Sequence, residues 1–114
     1  MKYLKKYEKL NNLQVGDYVI AIPEYIKNDN IKKFFDNNIG QIVKIERGYT
    51  GEKLCAVEYE YIPYSIKKIY SNWREENGKQ FLDKYIWFSS DLIIHSSNNK
   101  EDLQTIITAK KYNL

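Results

Sequence analysis

The chain has 114 residues, one cysteine and a net charge of +3, with 18 basic residues against 15 acidic ones. This length predicts one domain over residues 1–114, and no run of eighteen apolar residues suggests a transmembrane helix. The basic start of the chain lacks the apolar segment of a secretory signal, so we expect a cytoplasmic protein. The one cysteine, Cys55, has no internal disulfide partner and is predicted to be a small buried core residue.

The first ten residues predict a short helix docked on the rest of the domain. One apolar stripe lies between lysines and is formed by Tyr3, Leu4, Tyr7 and Leu10.

The first strand is predicted over residues 17–22, where it ends at Pro23. The connection that follows is long for a hairpin. Ile31, Phe34 and Phe35 share one helical face there, which predicts a short helix over residues 30–38. Its N-cap is expected to be Asp29 or Asn30, and the helix should lie across one end of the sheet.

The second and third strands follow as a hairpin. The second begins at Ile39, and Gly40 indicates a bulge or a close approach of another chain segment. The third strand, residues 55–61, alternates in polarity. Its expected buried face is Cys55, Val57, Tyr59 and Tyr61, and its expected wet face is Glu58 and Glu60. The predicted core residues of the three strands are Tyr18, Ile20, Val43, Ile45, Val57 and Tyr59.

A second long connection covers residues 63–80. It is predicted to hold a helical turn over residues 64–70 and a polar loop over residues 71–78. A fourth strand over residues 85–89 places Trp87 in the core, and a fifth covers residues 91–96. The final helix is expected to start with Asn98 as N-cap and Glu101 at the third helical position.

These elements predict an α+β domain built as a five-stranded, SH3-like antiparallel β-barrel with short helices at the N-terminus, in the first long loop and at the C-terminus. The phrases Gly16-Asp-Tyr-Val-Ile and Ile39-Gly-Gln-Ile-Val-Lys-Ile resemble the first two strands of KOW- and Tudor-type domains. With the ending Lys110-Lys-Tyr-Asn-Leu114, the whole layout resembles uncharacterised small bacteriophage proteins. That resemblance implies a phage setting and carries no mechanism with it.

The supply of reactive residues argues against an enzyme. The chain has one histidine, His95, one cysteine and no Gly-x-Ser-x-Gly, so no nucleophile–base pair is visible. Glu58 and Glu60 project from one strand face and could hold a hard cation, but a solvated strand face is the simpler explanation for them. No glycine-rich loop opens a helix to receive a phosphate. We therefore predict no catalytic site, no cofactor and no metal.

Binding of a protein partner is the leading prediction, with the two long connections as the surface. An exposed Trp beside an Arg, as at Trp73 and Arg74, is typical of an interface hot spot. The alternative for Trp73 is that it folds back to cap the end of the barrel. The predicted partner-binding residues are Trp73, Arg74, Tyr64, Tyr70, Phe34, Lys32, Lys33, Lys67 and Lys68.

Single-stranded nucleic acid or a nucleotide is the alternative ligand, because lysines and aromatic residues alternate in these segments. Two observations argue against nucleic acid. The sequence has two arginines, Arg47 and Arg74, whereas nucleic-acid readers often use arginine to contact guanine. Lys and Tyr are also residues of AT-rich codons, which explains part of their excess. The sequence thus predicts a non-enzymatic binding module for a host or viral protein, such as an inhibitor of a host factor or defence system. Its oligomeric state is left open.

Overall fold

The computed structural model describes residues 12–112, which form an α+β fold with one five-stranded sheet, one two-stranded hairpin and three helices. The strands are β1 (Tyr18–Ala21), β2 (Gly40–Arg47), β3 (Lys53–Tyr59), β4 (Trp73–Glu76), β5 (Lys79–Leu82), β6 (Tyr85–Ser89) and β7 (Ile93–Ser97). The helices are α1 (Asp29–Asn37), α2 (Tyr64–Tyr70) and α3 (Lys100–Tyr112), and a 3₁₀ turn covers Ser90–Leu92. Within this part of the chain, no helix has the length and apolar character needed to span a membrane.

The main sheet has the strand order β6-β3-β2-β1-β7, and each neighbouring pair is antiparallel. Strands β6 and β7 are its two edges, so among the described residues the sheet does not close on itself. The hairpin β4–β5 forms a separate sheet between α2 and β6.

Each face of the main sheet is covered by helices. The larger core lies on the face that carries α1 and α2, and Phe35, Val57 and Phe88 are almost completely buried in it. The smaller core lies against α3 and contains Ile20, Leu103 and Ile107. Alternate residues of β1 serve the two cores because successive strand side chains point to opposite faces.

The N-caps of α1 and α3 lie at different residues from the predicted ones. Asn28, rather than Asp29 or Asn30, caps α1, because its side chain accepts a hydrogen bond from the Ile31 N–H at 3.0 Å. In α3 the cap is Asn99, which accepts from the Glu101 N–H at 3.0 Å. Tandem Asn and Asp residues precede each helix, so several neighbouring residues satisfy the same capping rule.

A β-bulge changes which β2 side chains reach the core. The register of β2 against β3 shifts between Ile42 and Lys44, so Val43 is the extra residue. Ile42 pairs with Val57 and Ile45 pairs with Cys55, so the bulge brings two residues three apart to the same face of the sheet. Ile42 is buried and Ile45 packs at the core edge, whereas the predicted core residue Val43 is half-buried. Tyr18, another predicted core residue, is half-buried against the smaller core.

The prediction for β3 is confirmed at Cys55, Val57 and Tyr59, which are all buried. It is wrong at Tyr61, which is 73% exposed because β3 ends at Tyr59. Burial raises the pKa of the Cys55 thiol.

The polar loop predicted over residues 71–78 is instead most of the β4–β5 hairpin. Asn77 and Gly78 form its two-residue turn, with φ values of 54° and 77°. Positive φ at both positions is the type I′ pattern, for which Asn-Gly is strongly preferred. The Asn-Gly pair in the sequence therefore indicates a hairpin here rather than a loop.

Other elements follow the prediction closely. The helical turn over residues 64–70 and the strand over residues 85–89 are confirmed with those bounds. Trp87 is half-buried rather than a core residue, because Ile86 and Phe88 on the other face of β6 fill the core. The fifth predicted strand starts later, at Ile93, after the 3₁₀ turn. The predicted N-terminal helix lies outside the described residues.

We expect Gly40→Ala to destabilise the fold by about 1–3 kcal/mol, the usual cost of overpacking a core. An added Cβ at this residue would fall on Val57 Cγ1 and lie 3.1 Å from two ring atoms of Tyr59. Urea unfolding measures the change. A cycle with Val57→Ala tests the cause, since the double variant should lose less stability than the sum of the two single ones. Full additivity would contradict the predicted clash.

Candidate binding groove between α1 and α2

A groove of about 630 Å³ lies between α1 and α2, the helices of the two long connections. The helices rest on different strands, α1 on β1 and α2 on β6, which leaves the space between them open. The lining residues come from these helices and the segments that precede them: Lys27, Asn28, Asn30, Ile31, Lys33, Phe34, Pro63, Ser65, Ile66, Lys68 and Ile69.

The floor of the groove is apolar. Ile31 and Ile66 are buried where they join the larger core, and Ile69 is 41% exposed. The Phe34 ring is held against Tyr59 at 5.6 Å between centroids and against Phe35 at 5.1 Å, in an edge-to-face contact. The floor is therefore fixed by the core beneath it rather than by loops.

The rim of the groove is basic. Lys27, Lys33 and Lys68 line it, all three are exposed, and none forms an ion pair with another described residue. Among the described residues that line the groove, none is acidic. Lys32 differs from these three, because its Nζ is bound to Asp36 Oδ2 at 2.8 Å, which raises its pKa.

Three of the predicted partner-binding residues, Lys33, Phe34 and Lys68, meet in this groove. A fourth, Tyr70, braces it: the hydroxyl donates to the Tyr25 carbonyl at 2.6 Å, and the ring meets Phe35 at 5.4 Å. Burial raises the pKa of Tyr70.

Three further predicted residues, Lys32, Tyr64 and Lys67, are not among the lining residues. Tyr64 is 64% exposed in the first turn of α2, and Lys67 is half-buried near the C-terminal end of that helix.

Trp73 and Arg74 lie away from the groove, in the hairpin. They are adjacent in β4, so their side chains leave opposite faces of the two-stranded sheet. Arg74 Nε contacts the buried Asp83 Oδ1 at 3.3 Å, and the guanidinium lies 6.0 Å from the centre of the Phe81 ring. Trp73 is 58% exposed. The structure therefore does not present these two residues as one surface.

Sequence reasoning missed the contributions of Lys27, Ile66 and Ile69 to the groove. Ile66 and Ile69 are three residues apart in the predicted helical turn, a spacing that places them on one face. That pattern would have identified the α2 wall. Lys27 could not be placed, because its position depends on the path of the segment before α1.

Two buried hydroxyls, those of Tyr59 and Ser96, have no hydrogen-bond partner among the described residues. Burial also raises the pKa of Tyr59 well above its usual value. No three His, Cys, Asp or Glu side chains of residues 12–112 lie together in a way that could hold a metal ion.

Comparisons with family models, with curated proteins and with solved structures give no match for this chain.

The roles of the hairpin residues can be separated by substitution. Arg74→Ala should destabilise the protein by about 1 kcal/mol, because it removes the cation that contacts the buried Asp83 carboxylate. The exposed neighbour supplies the control, since Trp73→Ala should change the free energy of unfolding by less than about 0.5 kcal/mol. Thermal unfolding of both variants measures the difference. Equal losses would contradict a structural role that is special to Arg74.

Tyr59→Phe should leave the protein equally stable at neutral pH, or more stable by up to about 1 kcal/mol, because the deleted hydroxyl is buried and has no hydrogen-bond partner within residues 12–112. Above about pH 10 the unfolded tyrosine loses its proton while the buried one keeps it, so stability falls as pH rises. This fall should be shallower in the variant. Urea midpoints from about pH 8 to about pH 11 measure it, and an unchanged slope would contradict the raised pKa.

Proposed function

We propose that this chain is a non-enzymatic binding module, and that its α1–α2 groove holds an acidic, partly apolar segment of a partner protein. The observation that carries the proposal is the combination of an apolar floor with a rim of three lysines that form no ion pair with any other described residue. Apolar side chains of the partner would cover Phe34 and Ile69, and its carboxylates would meet Lys27, Lys33 and Lys68.

The size of the groove supports a peptide segment. Its 630 Å³ falls within the range of about 300–1,000 Å³ that is usual for ligand sites and has room for several side chains. Ile69 is partly exposed, so water covers part of its apolar surface in the free protein. Removal of that surface from water when a partner binds favours association.

The placement of the aromatic residues supports a protein rather than a nucleic acid as the partner. Stacking platforms for single strands need several exposed aromatic faces along a basic track. Phe34 is the aromatic residue of this groove, and its ring is already packed on Phe35 and Tyr59. Of the other predicted aromatic residues, Tyr70 is engaged with Tyr25 and Trp73 lies in the hairpin. Tyr64 is 64% exposed on α2 but is not among the lining residues of the groove.

We propose further that the sheet is a small SH3-like barrel that stays open between its edge strands, β6 and β7. The strand order supports this, because β1 lies between β2 and the final strand. So does the 3₁₀ turn between β6 and β7, which accepts a hydrogen bond at its Leu92 carbonyl from the Ile22 N–H at 3.0 Å. The resemblance to small bacteriophage proteins supports a phage setting, in which the partner is a host or viral protein.

The test is a selection of peptides of about 16 residues from a random mRNA-displayed library on the full chain. We expect acidic peptides with apolar anchors to be enriched. Their affinity should fall about tenfold or more in the double variant Lys33→Glu/Lys68→Glu, measured by fluorescence anisotropy, because two favourable contacts become repulsive.

The matched control is Lys110→Glu/Lys111→Glu, which makes the same charge change on exposed residues of α3, against the other face of the sheet. This variant should bind the selected peptides as the original chain does. Equal loss in both variants would show a general charge effect and contradict the groove. An oligothymidylate of about 16 nucleotides whose binding is tighter and falls steeply with salt would favour nucleic acid instead.

A further inference from the structure

We infer that the segment enters the groove as an amphipathic α-helix, packed between α1 and α2 as a third helix. The inference rests on the proposed function and adds the conformation and the residue spacing of the partner. A helix, an extended strand and a polyproline segment each need a different kind of surface.

An extended peptide needs a strand edge with free backbone groups. The groove offers no strand edge, since its lining residues lie in α1, in α2 and in the short segments before them. Beyond their first turns the helix backbones bond within themselves, and Asn28 accepts a hydrogen bond from the Ile31 N–H at the start of α1. An extended peptide would therefore leave its own backbone groups without partners when it displaced water.

A polyproline segment needs a groove lined by several aromatic side chains. Here Phe34 is the one aromatic lining residue among those described, and the rest of the floor is Ile and Pro. A helix needs only apolar side chains at helical spacing, because its backbone is satisfied internally.

Both walls offer that spacing. Ile31 and Phe34 lie three residues apart in α1, and Ile66 and Ile69 lie three apart in α2. The first residue of each pair is buried in the larger core, and the second is the more accessible one. Rows of side chains at this spacing form ridges into which a neighbouring helix fits its own side chains. The nine residues of α1 extend over about 13 Å, so about two turns of the partner would be in contact.

The lysines lie on both walls. Lys33 comes from α1 and Lys68 from α2, so a helix between them would have a cation on each side of its apolar stripe. The matching partner carries apolar residues at i, i+3, i+4 and i+7, with acidic residues on both flanks of that stripe.

The test uses three synthetic peptides of about 16 residues with identical Leu and Glu content. In the first, the Leu residues follow the helical spacing; in the second, they alternate with polar residues; in the third, the helical pattern is kept but one central Ala is replaced by Pro. Each is titrated into the isotope-labelled full chain, with amide shifts of the groove residues and far-UV circular dichroism as readouts.

We expect the helical peptide to bind at least about tenfold more tightly than the other two, with shifts at Ile31, Phe34 and Ile69 and a gain of helical signal. Ile69→Ser should weaken it, whereas Ile94→Ser should not. These two residues are a matched pair, being 41% and 39% exposed, and Ile94 lies in β7 away from the groove.

Equal or tighter binding of the alternating or proline peptide at the groove would overturn the helical conformation and leave the proposed function standing. If none of the three peptides bound while the library peptides still did, the helical conformation would likewise be overturned and the proposed function would stand. If the double variant Lys33→Glu/Lys68→Glu bound both the library peptides and the helical peptide as tightly as the original chain does, the groove would be overturned as the binding site. The helical inference would fall with it.

Discussion

The packing around Phe35 is the interaction on which the rest of the structure depends. Its ring is completely buried and makes edge-to-face contacts with Tyr59 of β3, Tyr70 of α2 and Phe88 of β6, at 5.4–6.0 Å. Each such pair adds about 0.5–1.5 kcal/mol beyond the area that it buries. One residue of α1 thereby joins both long connections to the sheet. The separation of α1 and α2, and with it the width of the groove, follows from the positions of these rings.

Helix α1 divides its residues between stability and recognition. Phe35 and Ile31 face the core, Lys32 is paired with Asp36 on the solvent side, and Phe34 and Lys33 border the groove. The hairpin uses its arginine for stability instead of recognition. Arg74 contacts Asp83, the residue that follows β5, and so stabilises the base of the hairpin. A residue that looks suited to binding in the sequence can thus be occupied within the fold.

Much of the fold could be predicted because hydrophobic spacing is a local property. The alternation in β3 and the helical spacing of Ile31, Phe34 and Phe35 each appear in a few consecutive residues. The predictions that were wrong also have local causes, but ones that hydrophobic spacing does not reveal. The bulge at Val43 shifts the alternation without changing the composition, and tandem Asn and Asp residues offer several equivalent caps. Placing Lys33 and Lys68 on one groove requires the packing of two distant helices, which no local pattern contains.

The burial of Cys55 has a practical consequence. It is the one thiol in the sequence, it lies in the middle of β3 between β2 and β6, and none of its surface is exposed. Its raised pKa and its enclosure both slow reaction with alkylating reagents, because burial disfavours the reactive thiolate and keeps reagents away from the sulfur. The protein therefore carries a built-in probe of its own opening, in which the rate of thiol labelling reports how often the centre of the sheet meets solvent.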